Sequence, residues 1–170
     1  MLEKYFCLIK ILKILNKNIF LFDIYVYDTG CEEAMNAGET DVLIFHGSTD
    51  TPKVSVWETA VVNVELFSFG YGEFAGYSEL PTLDFMLEVR DKTGTATVAS
   101  YQAPLATLGL EGQSLSVMAS GFLNPANNSD GEAFGLYVVF AAGGALVELP
   151  VFTNMEEPNE ISAMSFYPTR

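Results

Sequence analysis

The spacing of apolar and polar residues changes twice along the chain. Through residues 1–20, MLEKYFCLIKILKILNKNIF, apolar side chains crowd together without a Gly or Pro, and Lys10, Lys13 and Lys17 recur at i, i+3 and i+7. That spacing predicts a helix, an apolar cylinder with one narrow basic stripe. Three origins fit such a segment. One is a signal peptide started by Lys4, although the later lysines interrupt its apolar region and no A-x-A site follows. The others are an interfacial helix and a distorted junction whose true start lies upstream.

From Phe20 onward the period becomes two. FLFDIYVY reads as a strand and DTGCEEAMNAGETD as a linker. The body begins near Asp41, and short runs of strand type follow at residues 42–46, 53–58, 60–66, 73–80, 85–90, 95–103, 114–121, 134–141 and 145–151. Phe85, Leu87 and Val89 alternate with Met86, Glu88 and Arg90, which sets one sheet face toward a core and the other toward water. Asp91-Lys92-Thr93-Gly94 and Gly143-Gly144 supply turns that need positive φ. Regularly spaced strands without a strong helix in the body predict an all-β, antiparallel β-sandwich of about seven to nine strands, preceded by the N-terminal helical segment. The expected organisation is residues 1–40 as head and linker, 41–152 as the sandwich, and 153–170 as an acidic, Pro-containing tail that turns apolar again at residues 161–166.

Composition narrows the function classes. Apolar residues make up 49% of the 170 and charged residues 18%, so the chain can bury a core and is neither disordered nor a coiled coil. The net charge is -14, which opposes nucleic acid, since phosphate binding draws on Lys and Arg. The charge is also uneven: four lysines against Glu3 make residues 1–20 net +3, and the remaining four basic and 21 acidic groups make the rest net -17. No transmembrane span is expected. The apolar stretch 133–147 has 15 residues and is broken by Gly143-Gly144, short of the roughly 18–20 a helix needs.

Candidate chemistry is sparse. His46, the sole histidine, alternates with Ser48 and Asp50 in HGSTDTP. A strand spacing of about 7 Å per two residues and the absence of an oxyanion partner argue against a triad. The reading adopted is a structural turn, with Ser48 and Asp50 capping nearby N–H groups and Pro52 fixing entry to the next strand. In NPANNSDGE, Asn128, Asp130 and Glu132 are a candidate oxygen-ligand set for calcium. An EF-hand register fails, because it would begin at Ala126 and end at Tyr137. Asn127-Asn128-Ser129 also spells a glycosylation sequon. Tyr71, Phe74 and Tyr77, in FSFGYGEFAGY, could stack a glycan or a peptide, or could pack as core, and the same two roles are open to Trp57. Cys7 and Cys31 fit no zinc pattern. No cofactor is expected, apart from calcium at that loop, and carboxylate pairs in so acidic a chain do not point to hydrolysis.

Four stretches of the body resemble one family. VLIFHGSTDTPKVSVW is similar to the opening of domain of unknown function 4397, an apolar strand, H-[AGN]-S-[PT]-D-x-P and then V-D-V-Y. FGYGEFAGYSELP resembles its A-Y-G-x-x-x-x-Y-x-x-L-P stretch, FMLEVRDKTGT its Y-x-L-E-V-R hairpin, and LGLEGQSLSVMASG its L-x-x-G-x-x-Y-x-V-x-A-x-G strand. The resemblance covers about residues 41–150, and the tandem repetition it implies would make FLFDIYVY the remnant of an upstream repeat. Ser55 stands where the family has Asp, and Trp57 where Tyr is common, so any role of that Asp is lost here. The resemblance implies an Ig-like or transthyretin-like β-sandwich of secreted or cell-surface bacterial proteins, often repeated in tandem and without catalytic residues. The tail EPNEISAMSFYPTR resembles the opening of the C-terminal sorting domain of type IX secretion, with Thr169-Arg170 departing from it and the remainder absent. The expected function is therefore a non-catalytic surface module, a spacer or adhesion element whose partners are neighbouring repeat domains or surface components. The alternative is a glycan- or calcium-binding module, and an enzyme is the third reading.

Overall fold

A computed structural model describes the backbone of residues 5–15 and 19–152 and the side chains from Asp23 to Phe152. Among the described residues there are eleven strands, one short 3-10 turn at Pro125–Asn127 and no α-helix. The strands are β1 (Tyr5–Leu15), β2 (Ile19–Gly30), β3 (Glu39–His46), β4 (Val54–Glu58), β5 (Val64–Phe69), β6 (Phe74–Pro81), β7 (Asp84–Asp91), β8 (Thr97–Pro104), β9 (Ser114–Ser120), β10 (Gly135–Phe140) and β11 (Val147–Glu148).

Nine strands form two sheets, ordered β11-β10-β9-β3-β6 and β5-β4-β7-β8. Every pairing is antiparallel except β3 with β9, which run parallel from Asp41↔Ser114 to His46↔Ala119. One apolar core lies between the sheets. Val42, Ile44, Leu115, Val117, Leu136 and Val138 come from the first sheet, and Val54, Val56, Phe67, Phe69, Phe85, Leu87, Val89 and Tyr101 from the second. An apolar void of about 60 Å³ inside it is bounded by side chains such as Ile44, Val56, Leu87 and Leu136. The period-two pattern of β7 is what places Phe85, Leu87 and Val89 there while Met86, Glu88 and Arg90 face outward.

β3 departs from alternation because both of its faces are covered. Val42 and Ile44 enter the core, while Asp41, Leu43 and Phe45 lie on the opposite face and are also buried. Part of that cover is Tyr25 of β2, whose ring centroid is 5.3 Å from that of Phe45. A strand covered on both sides reads in sequence as the unbroken run VLIF.

Two expectations are corrected. The head is not helical where it is described: β1 and β2 pair antiparallel from Leu15↔Ile19 to Tyr5↔Gly30. Ile9, Ile11, Ile14, Tyr5 and Phe20 are β-branched or aromatic residues that suit a strand, and a partner strand only three residues away supplies the backbone hydrogen bonds that a helix would have made for itself. Lys4, Lys17 and the tail 153–170 lie outside the described residues. The strand expected over 60–66 begins instead at Val64, because the Glu58 side chain organises residues 59–63 as a loop.

Beyond β11 the chain passes from one sheet to the other. The Leu149 N–H donates to the Leu136 carbonyl of β10, whereas Gln102 N–H of β8 donates to the Pro150 carbonyl and Phe152 N–H to the Ser100 carbonyl. One segment thus lines an edge of each layer.

Candidate functional site

HGSTDTP folds as a bend at the end of β3, with His46, Gly47, Ser48 and Thr51 buried, Thr49 and Asp50 partly so, and Pro52 exposed. His46 and Ser48 are 0% exposed. The Ser48 hydroxyl lies 2.5 Å from that of Thr51 and 3.4 Å from an Asp50 oxygen. His46 Nε2 lies 3.2 Å from the Pro52 carbonyl, which can only accept, so Nε2 carries the proton and Nδ1 is the bare nitrogen. Nδ1 is buried without a hydrogen-bond partner. The ring stands edge-on to Phe69 and Tyr71. Burial holds the imidazole pKa below its ordinary value, against the Pro52 carbonyl, its own backbone carbonyl and the Glu73 carboxylate, which push it upward. The ring is therefore enclosed, with its Nε2 committed to the Pro52 carbonyl.

Asp50 works at longer range than the turn reading expects. Its carboxylate accepts from Leu123 N–H at 2.8 Å, Asn124 N–H at 2.9 Å and Asn128 Nδ2 at 2.9 Å. The capped N–H groups therefore belong to a loop more than seventy residues away, not to the Asp50 turn itself. That loop is the candidate calcium segment. Asn128 gives its amide to Asp50 and to the Asn124 carbonyl. Asp130 takes a positive φ of 54°, a conformation that Asp tolerates, and its N–H donates to the Pro125 carbonyl. The Glu132 carbonyl accepts from Phe122 N–H. Asn128 is thus drawn toward Asp50 as a tether of the loop. Among the described residues no three His, Cys, Asp or Glu side chains converge to hold a metal ion.

The aromatic segment is brought together, and β2 packs onto it. Tyr27 lies 5.2 Å from Phe74 and 5.8 Å from Tyr77, and Tyr25 lies 6.1 Å from Tyr71, all between ring centroids. Phe74 also meets Phe45 at 4.6 Å, and the Tyr77 hydroxyl accepts from Cys31 N–H at 3.0 Å. Tyr71, Phe74 and Tyr77 are each half-buried. Burial raises the Tyr25 phenol pKa, and the neighbouring Tyr71 hydroxyl raises it further. Trp57 is engaged elsewhere, on the outer face of the second sheet, where the Arg90 guanidinium sits 4.6 Å from its ring centroid and pairs with Glu88 at 2.7 Å. A shallow hollow of about 260 Å³ nearby is lined by Thr59, Met86, Glu88, Ser100 and Phe152. Its carboxylate, Glu88, is the one already paired with Arg90.

Sequence reasoning passed over Glu58. This residue is 1% exposed, and its carboxylate accepts from Ala60, Val61 and Val62 N–H at 2.6, 2.8 and 2.7 Å. Burial pushes its pKa up, but those amides together with that of Asn63 pull it down further, leaving it below the usual carboxylate range. A Glu followed by a stretch of non-proline amides was the available signal, and it is common to many strand ends. Comparison with protein-family models, with curated proteins and with solved structures finds no match to this chain.

Proposed function

We propose that this chain is a non-catalytic module of an extracellular or cell-surface protein, an Ig-like or transthyretin-like β-sandwich that serves as a spacer or adhesion element. The observation that carries the reading is that the residues able to do chemistry hold the fold together instead. His46 is sealed, Asp50 ties a distant loop, and the aromatic segment packs against β2. The all-β architecture supports it, as does the residue-level resemblance of the body to domain of unknown function 4397. The net charge of -14 keeps such a body soluble and apart from like copies. Its partners are then neighbouring repeat domains or surface components. In this reading the family's address, secreted or cell surface, applies to the parent protein.

A glycan-binding role is the second reading, favoured by the half-exposure of Tyr71, Phe74 and Tyr77. A glycan array probed with the full chain, alongside limited proteolysis, tests both. The spacer reading expects a protease-resistant fragment spanning the two sheets and no retained glycan. A glycan retained by the wild type and lost in Tyr77→Ala would replace it with the binding module.

A further inference from the structure

The outer face of the five-stranded sheet carries a row of oxygen-bearing side chains that no role above has absorbed. Asp41 of β3 lies between Ser114 of β9 and Glu79 of β6 in register. Leu115, Val117 and Ala119 enter the core, so Ser114 faces outward with Asp41 and Glu79. Two of the three are sealed: Asp41 is 1% and Ser114 3% exposed. Asp41 Oδ2 accepts from Met35 N–H at 3.0 Å. Its Oδ1, and the Ser114 hydroxyl, are buried with no hydrogen-bond partner.

A buried carboxylate oxygen facing no donor is costly, and native folds satisfy such groups with protein, water or an ion. The rim supplies the rest of a cation's shell. Asn36 Nδ2 donates to Glu39 Oε2 at 3.0 Å and to Glu79 Oε2 at 2.5 Å. An amide donor thus stands between two carboxylates, the position a positive charge would take. Rotating that amide by half a turn offers its oxygen instead. The carboxylates do not converge as they stand, because Asn36 holds two of them. The linker over the site, residues 31–38, is tied down by Ala34 N–H to the Gly112 carbonyl.

We propose that Asp41, Ser114 and Glu79 hold a hard divalent cation, calcium in the first instance, with Glu39 and Asn36 closing over it. Carboxylate, hydroxyl and amide oxygens are the donors calcium takes in flexible geometry. The site is separate from Asn128, Asp130 and Glu132 and does not depend on the spacer reading, which a structural ion leaves intact.

The test is isothermal titration of the full chain with calcium chloride and with magnesium chloride, paired with thermal unfolding. The wild type is expected to bind calcium with a Kd of about 10⁻⁴–10⁻³ M, the range of extracellular oxygen-ligand sites. Asp41→Asn should abolish binding. Glu79→Gln, at an exposed position that does not threaten folding, should weaken it about tenfold or more, since affinity follows ligand charge. Asp130→Asn should leave it unchanged. A wild type that takes up no calcium at about 10 mM, well above that range, overturns the proposal and leaves a buried water bridging Asp41 and Ser114. Binding that is lost in Asp130→Asn but kept in Glu79→Gln overturns it in favour of the 124–132 loop.

Discussion

Replacing Glu58 by Gln isolates the carboxylate that shapes the loop between β4 and β5. The substitution keeps the side chain's size and one acceptor oxygen. It removes the charge and turns an NH2 group toward an amide that needs an acceptor. Three N–H donors at 2.6–2.8 Å converge on the native carboxylate. A hydrogen bond to a charged group contributes about 1.5–3 kcal/mol, and Gln can retain part of two of the three, so the expected loss is about 2–4 kcal/mol. For a chain of this size that corresponds to a fall in Tm of roughly 4–16 °C. Urea denaturation at neutral pH measures the difference directly, and hydrogen exchange at Ala60, Val61 and Val62 locates it. The pH dependence adds a second check. Because the folded-state pKa of Glu58 lies below its ordinary value, its contribution is complete above about pH 4.3 and is lost as pH falls below that toward the folded value. The gap between wild type and variant should therefore narrow in acid. A Glu58→Gln protein within about 0.5 kcal/mol of wild type at pH 7, the range of ordinary surface changes, would refute the reasoning.

Three further outcomes are expected. His46 is buried neutral, with its pKa depressed by burial, so stability should hold above about pH 6.5 and decline below it by at most about 1.4 kcal/mol per pH unit; His46→Leu should flatten that slope in denaturation curves taken between pH 5 and 7. Tyr25→Ala with Tyr27→Ala strips the rings facing Phe45, Phe74 and Tyr77, and a loss of about 2–4 kcal/mol, with Trp57 fluorescence unchanged in the native state, is the expected result. Gly121→Ala puts a Cβ against the Ala133 carbonyl at a φ of +81°, and calorimetry should show a loss of at least about 2 kcal/mol.

Most strands were legible because their signals are local. Alternation in residues 85–90 and the Asp91–Gly94 turn sit within a few residues of one another, and β7 and β8 follow from them. The head was misread because lysines spaced i, i+3 and i+7 do not separate a helix from a strand whose partner, β2, must first be recognised. The strand run ending at His46 was legible, but the work of the residues after it was not. Asp50 acts on Leu123, Asn124 and Asn128, and no spacing rule links positions so far apart. The same holds for Asp41, Ser114 and Glu79, which meet only through two strand pairings. Tyr25 and Tyr27 were seen as strand residues in FLFDIYVY. That they would pack on the aromatic segment follows from tertiary placement alone.

The parallel pairing of β3 with β9 bears on how the chain reaches its fold. β7 and β8 can zip together as soon as residues 84–104 exist, whereas β3, which meets β6 on one side, must wait on the other for a partner that begins at Ser114. Closing so long a loop before any contact rewards it slows folding. During synthesis β3, an interior strand of the larger sheet, therefore emerges early and is completed late, with Leu43, Ile44 and Phe45 presenting an unpaired apolar edge in the interval. A nascent chain in that state is open to capture by chaperones or by the same strand of a neighbouring chain. If copies of this module are strung in series, the hazard repeats with each one, and the rate at which β9 arrives sets how many such edges are open at once.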